Sequence, residues 1–332
     1  MVWQLPGAGL GISPGRCKVC LIFPLILDRS WKETDMNQTT QNPMKGALFM
    51  VLAGMAFALA NSVTFTVVYK MGFKPQSDTF WQYGIALVFA VPFMWKNGLS
   101  SLRTAHPVLH ILRVVLSALG ILAFAKAFAA GLPTWHVVAL VMVSPYFVML
   151  GAMIFLKEKV TPNRWVAATI AFAGAMILLR PWESGLPLSM LYPVAAAALW
   201  AGASLITKRL TRDEPQTTIT MWLLVLLTPI FAVLSLQAGF EVPSGTILLL
   251  LLAGGVIMFA AQHFLTLSYA NADAAFVQPF DDLKLFSNIL VSWVIFGDAP
   301  TGIYWLGIAL ILSGTGYLLW SERQRQTAAV AA

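Results

Sequence analysis

The sequence predicts an all-α polytopic membrane protein of ten transmembrane helices, arranged as two inverted five-helix repeats. Three observations predict this. First, the 332 residues are 58% hydrophobic and only 11% charged, with a mean hydropathy of +0.76, whereas a soluble domain carries about 25% charged residues. Second, ten apolar segments follow one another with short polar or Pro/Gly breaks, at 47–69, 79–95, 109–130, 133–156, 162–180, 188–207, 217–237, 245–269, 273–296 and 300–320. Backbone groups in hydrocarbon must pair within their own segment, so these runs are helices, and they lack the alternation of barrel strands. Third, a shift of 140 residues lays segments three to five onto eight to ten without a gap.

That register pairs Phe124 with Phe264, Ala130 with Ala270, Val137 with Val277 and Leu150 with Leu290. It continues through Thr161 and Thr301, Trp165 and Trp305, and Gly174 and Gly314, and it sets Glu158 against Asp298 in the equivalent loop. Each half holds five helices, an odd number, so the second half enters the membrane upside-down relative to the first. The expected organisation is a tail over 1–43, a first repeat over 44–180, a second over 188–320 and a short cytoplasmic tail over 321–332. The Lys and Arg distribution orients the chain. With the N-terminus in the cytoplasm, the inner loops carry eleven basic residues and the outer loops carry Lys70, Lys74 and Arg180. The positive-inside bias therefore places both termini in the cytoplasm, in a bacterial inner membrane. The net charge of +7 belongs to those loops and not to a nucleic-acid surface.

The elements carry different chemistry. Residues 1–43 mix Gly, Pro and charge and read as a disordered tail or an over-extended start, with Met36 or Met44 beginning the protein proper. Their apolar run, Val19 to Leu27, is too short to span a bilayer, and Cys17 and Cys20 are too few for a metal site of their own. The first segment contains Asn61, which either binds a ligand or bonds a neighbouring helix. The third contains Lys126, and His136 follows across the Gly131-Leu132-Pro133 turn. Both sit near the outer surface, where Lys126 can snorkel to the interface. In the fifth, Ala167, Ala171 and Ala175 recur every four residues and read as a close helix contact. Aromatics such as Tyr146, Trp200, Trp222 and Tyr269 lie within helices, for packing or for stacking on a planar ligand.

The ninth segment is the anomaly. Gln278-Pro279-Phe280-Asp281-Asp282-Leu283-Lys284 sets three formal charges near the middle of a spanning run, at a cost of about 2.5–3.5 kcal/mol each. By helix rise, Asp281 lies about 12 Å and Lys284 about 17 Å from the cytoplasmic entry. Gln262 and His263, on the antiparallel eighth segment, lie about 11 Å from the same side. Gln278, Asp281, Asp282 and Leu285 follow i, i+3, i+4, i+7 and form one stripe, and Asp281 and Lys284 are spaced for an ion pair. Asp282 needs another partner, with His263 and Lys126 as candidates. Pro279 withholds an N–H and is placed to kink the helix. The candidate site is therefore Asp281, Asp282, Lys284, Gln278, Gln262 and His263, with Lys126 and Asn61 as outlying members. At the 140-shifted positions the first half has the uncharged Val141, Met142 and Ser144, so the charge belongs to one half only.

Two stretches carry a family resemblance. Phe155-Leu156-Lys157-Glu158-Lys159-Val160-Thr161-Pro162, with Trp165 and Gly174, resembles the loop between helices four and five of EamA-type transporters, in the drug/metabolite transporter superfamily. Phe296-Gly297-Asp298-Ala299-Pro300-Thr301, with Gly307 and Gly314, resembles the same signature in the second half, with Asp298 where Glu is usual. The resemblance implies ten helices, carrier activity without ATP and a central cavity. Arg113-Val114-Val115-Leu116-Ser117-Ala118-Leu119-Gly120, followed by Lys126, is most similar to the subgroup of riboflavin and S-adenosylmethionine importers. Uptake of riboflavin or a similar heterocycle is thus the expected function, with export of amino acids or related metabolites as the alternative. The expected partners are that small molecule and the bilayer, in a monomer or homodimer. No cofactor, metal or catalytic group is expected, since Walker, nucleophile-elbow and metal-ligand spacings are missing from the sequence. A lipid or isoprenoid enzyme, with the paired Asp holding Mg²⁺, is the distant alternative.

Overall fold

The structure is a computed structural model that describes residues 42–97, 103–130, 137, 140–179, 188–297, 302 and 304–331. Cys17, Cys20, His136 and Asp298 lie outside the described residues. Every described element is helical. Helix α1, Pro43–Thr64, starts with Pro43 at its first position and Asn42 as its cap, whose side chain accepts from the Lys45 N–H at 3.1 Å. Its far end widens into a π-helical turn, Phe65–Lys70. Helices α2 (Pro75–Asn97), α3 (Pro107–Ala129) and α4 (Ser144–Gly151) follow, α4 widening likewise over Ala152–Leu156. A left-handed Lys157, at φ 54°, ends that turn. Then come α5 (Pro162–Leu179), α6 (Leu191–Leu210), α7 (Gln216–Gln237) and α8 (Gly245–Asn271). The ninth apolar segment is two helices, α9 (Ala274–Asp281) and α10 (Leu283–Phe296), and α11 (Tyr304–Ala331) runs on past its apolar stretch through Glu322, Arg323 and Arg325.

Five of these helical stretches are long and apolar enough to cross a bilayer: Pro43–Val68, Pro107–Ala127, Leu188–Leu210, Gln216–Gln237 and Gly245–Asn271. Only 28% to 44% of each apolar window is buried by protein. The remainder, with outward residues such as Val88, Ile154, Leu249 and Val294, forms a hydrophobic perimeter far larger than a soluble monomer exposes. It is a surface built for lipid.

The packing follows a two-fold exchange. The most extensive pairings are α1 with α8, α5 with α11, and α3 with α6, followed by α2 with α8 and α2 with α7. Exchanging the halves turns α1–α8 into α6–α3 and leaves α2–α7 and α5–α11 as self-paired contacts. The partnership of α1 with α9 and α10 likewise answers that of α6 with α4. Side chains repeat the pattern at α5–α11. A Cβ on Gly174 would lie 2.7 Å from the Gly307 carbonyl and 2.9 Å from Leu310 Cβ, and one on Gly314 would lie 2.8 Å from the Ala167 carbonyl and 3.3 Å from Ile170 Cβ. Gly307 and Leu310 are Ala167 and Ile170 shifted by 140, so the same small-residue face meets its own copy. Ala167, Ala171 and Ala175 are all buried there, as their spacing predicts.

One end of the bundle, where α1 begins, is tied by polar groups; it is called proximal below. The Glu158 carboxylate, in the loop after α4, accepts the Ala274 and Ala275 N–H groups at 3.1 and 3.0 Å, capping α9. Burial pushes the Glu158 carboxyl up, and neighbouring Asp273 adds to this. Lys208, buried at the end of α6, donates to the Tyr269 and Ala272 carbonyls at 2.9 and 2.6 Å, closing the end of α8. Arg164 reaches Asp273 at 3.5 Å and Glu322 at 3.7 Å. The α8–α9 corner is therefore held from α4, α5 and α6, and this fixes the segment that carries the charges.

Candidate functional site

Pro279 and Asp282 together shape the site. Pro279 has no N–H to give the preceding turn, and the chain breaks three residues later, with α9 ending at Asp281 and α10 beginning at Leu283. The kink expected from the sequence is an interruption one residue long, at Asp282, whose own backbone stays right-handed helical at φ −64° and ψ −22°. The i, i+3, i+4, i+7 stripe is divided, with Asp282 at the joint.

Asp281 and Lys284 face each other across the joint. Lys284 Nζ donates to Asp281 Oδ2 at 2.6 Å, and the two side chains keep 29% and 17% of their exposure respectively. Gln278 Nε2 donates to the same oxygen at 3.4 Å, and its own Oε1 accepts from the Tyr269 hydroxyl at 3.1 Å. Tyr269 also bonds Ser204 of α6. Lys284 lies over Gly54 of α1, where an added Cβ would sit 3.4 Å from Lys284 Cβ. One turn on, Asn288 Nδ2 donates to the Lys284 carbonyl at 2.6 Å and its Oδ1 accepts from Asn61 Nδ2 at 3.2 Å. Asp282 is only 3% exposed, and its Oδ2 has no hydrogen-bond partner among the described residues.

A second arm of polar groups comes from the other helices. Gln262 Nε2 donates to the Tyr83 hydroxyl at 3.3 Å. Arg113 of α3 is 3% exposed and donates from Nη1 to the Ile219 carbonyl of α7 at 3.0 Å. Its charge also acts on the hydroxyls of Tyr83 and Tyr269, and no carboxylate pairs with it among the described residues. Tyr83 thus belongs to the Gln262 arm and Tyr269 to the chain of Gln278 and Asp281. At the α9–α10 joint, polar groups of α1, α8, α9 and α10 meet, the first half contributing Asn61.

Of the expected site residues, Gln278, Asp281 and Lys284 form one bonded chain, and Asn61 joins it through Asn288. Gln262 bonds Tyr83 of α2 and not the aspartates. His263 stacks on Phe259, ring centroids 5.8 Å apart, and is not the partner of Asp282, whose charged neighbours are Asp281 and Lys284. Lys126 lies exposed in the last turn of α3, apart from the chain. Sequence reasoning missed Tyr83, Arg113 and Asn288. A charged residue within a spanning segment is a signal for Arg113; Tyr83 carried none.

Over residues 44–180 and again over 187–320 the sequence matches the EamA-like transporter family. The chain belongs to that family. The double match coincides with the internal repeat, and a transporter family sets aside the lipid-enzyme alternative. Within the family, the chain is 52% identical over 297 residues to a riboflavin transporter of Rhizobium johnstonii, covering 88% of this chain and 98% of the relative. It is 27% identical over 255 residues to an S-adenosylmethionine uptake transporter of Rickettsia felis, covering 74% and 83% of the two chains. Among solved structures, one protein superposes with a TM-score of 0.70 at 20% identity, over 85% of this chain and 97% of the other, which is a likeness of fold.

Proposed function

We propose that this EamA transporter imports riboflavin across a bacterial inner membrane by alternating access. In this reading it has ten transmembrane helices in two inverted halves, and its proximal end, with both termini, faces the cytoplasm. The observation that carries the reading is the convergence of polar side chains from both halves on the α9–α10 break, the position at which inverted-repeat carriers bind their cargo. The 52% identity to a riboflavin transporter over almost its whole length supplies the cargo.

The chemistry suits it. Riboflavin offers a flat ring system with hydrogen-bonding edges and a polyhydroxyl chain. The site offers carboxylate, ammonium, guanidinium, amide and phenol groups. Aromatic pairs stand on the helices that join the halves, Phe124 with Trp200 at 5.5 Å and Tyr83 with Phe231 at 5.1 Å. The test is growth of a riboflavin-auxotrophic strain lacking its own importer on limiting riboflavin. Expression of this chain restores growth, and Asp281→Asn at equal membrane abundance does not. Growth rescued on limiting S-adenosylmethionine in a strain dependent on its uptake, and not on riboflavin, overturns the assignment.

A further inference from the structure

We propose that Asp282 is the proton-carrying group of this carrier, so that riboflavin enters together with a proton; this rests on the importer reading above. Charge balance at the α9–α10 break favours a neutral Asp282. Lys284 is already neutralised by Asp281 at 2.6 Å. Asp282 is therefore the surplus charge, 3% exposed, with Oδ2 lacking any donor. A carboxylate in that position would be a net charge in the low-dielectric interior with Oδ2 left without a donor among the described residues, a cost of several kcal/mol. The carboxylic acid leaves the trio Asp281, Asp282 and Lys284 neutral.

Among the described residues no base beside it neutralises it, and neither Arg113 nor His263 is among the charges that act on it. On its own segment the neighbours are Asp281 and Lys284. From α8 comes the Tyr269 hydroxyl, engaged with Gln278. From α1 comes the neutral Asn61, engaged with Asn288. The described part of α4 presents neutral residues, Tyr146 bonding Thr169 at 3.2 Å. The acids and bases of α5, α6 and α11 that pack near this segment, Arg164, Lys208 and Glu322, lie at the proximal end with Glu158 and Asp273, tied to one another or to helix carbonyls. Lys208 and Arg164 are therefore committed elsewhere.

The position also allows exchange. Asp282 is the joint between two short helices, α9 held by the Glu158 cap and α10 held by Asn61 on α1. Rocking one half against the other bends the chain at this joint and wets the carboxyl from one side at a time. In one cycle the Asp282 oxygen takes a proton from water on the outside. The neutral acid crosses with riboflavin bound, the proton leaves to cytoplasmic water when the inner side opens, and the emptied carrier returns with Asp282 ionised beside Lys284 in a site that water has refilled. Riboflavin is uncharged, so each cycle moves one positive charge inward. Uptake accordingly rises as the outside is made more acidic and falls as it becomes alkaline, and an inside-negative potential accelerates it.

The experiment uses the full chain in proteoliposomes that trap a pH-sensitive dye, with riboflavin as the substrate. For the wild type, an acid-outside gradient drives riboflavin accumulation at least tenfold above equilibrium, and riboflavin added outside acidifies the lumen. Asp282→Asn, permanently neutral, moves no proton with whatever riboflavin it exchanges, so both the accumulation and the acidification are lost. Asp282→Glu, the conservative control, keeps them. Exchange by the wild type without proton movement overturns the coupling and leaves the importer reading standing. Gradient-driven accumulation retained by Asp282→Asn overturns the assignment to Asp282. If the wild type exchanges no riboflavin, the importer reading falls and this inference with it. Should Asp282→Asn fail to fold, the wild-type proton measurement still decides whether transport is coupled.

Discussion

At the residue scale, the α9–α10 joint holds one neutralised pair and one surplus acid, while Arg113, on the second arm, is not among the charges acting on that acid. Asp281 and Lys284 are three apart on adjoining helices, and their 2.6 Å bond was legible from spacing alone. Arg113 was not. It lies only two turns into α3, where a long basic side chain ordinarily snorkels to the interface. Instead it turns inward, 3% exposed, with a single main-chain partner at Ile219. A buried guanidinium with donors to spare and no carboxylate paired with it among the described residues is suited to the acceptor atoms of a cargo. Losing a hydrogen bond from a charged group costs about 1.5–3 kcal/mol. Arg113→Gln is therefore expected to weaken riboflavin binding by about 10- to 100-fold while leaving the melting temperature near that of the wild type. A large fall in melting temperature with unchanged affinity would instead make Arg113 a clamp between α3 and α7. Gln262 and Tyr83, 179 positions apart, show why the second arm stayed hidden: periodicity reports which face a residue occupies and says nothing about which distant helix meets it.

At the element scale, sequence reasoning located the apolar segments and missed how the ninth is divided. Pro279 announced a kink. The interruption falls three residues on, at Asp282, whose backbone stays right-handed helical. The opposite case is α5 against α11, where small residues every four positions, and Gly174 and Gly314 at equivalent places, were readable in advance. Their symmetry gives a sharp expectation. Gly174→Val and Gly314→Val should each lower stability by a similar amount, about 1–3 kcal/mol, because each new side chain meets the same equivalent backbone at 2.7–2.8 Å. Gly316→Val, with nothing within 4 Å of its Cβ, should change stability by less than about 0.5 kcal/mol. Thermal unfolding in detergent reads all three, and a large effect at only one of the two equivalent glycines would break the symmetry argument.

At the scale of the whole molecule, the exchange of helix partners between halves explains how an importer can be built from one repeated unit. α1–α8 and α6–α3 are the same contact made twice, so two arrangements of the halves differ in which copy is open. The charges break this equivalence, since the first half has no counterpart of Asp281, Asp282 or Lys284. In the proposed reading they serve the cargo or its coupling and not the scaffold. The orientation proposed from the basic loops has its own check. In a background with Cys17 and Cys20 replaced by Ser, Gln237→Cys should react with a membrane-impermeant thiol reagent on intact cells, and Arg212→Cys only after permeabilisation. The reverse pattern would invert the molecule.

The central claim is that the broken helix and its polar partners bind riboflavin, and titrating purified protein into riboflavin while following the vitamin's own fluorescence tests it most directly. The account predicts saturable quenching by the wild type and an affinity at least tenfold weaker for Asp281→Asn. Riboflavin binding that is absent in the wild type, or unchanged in Asp281→Asn, would contradict it.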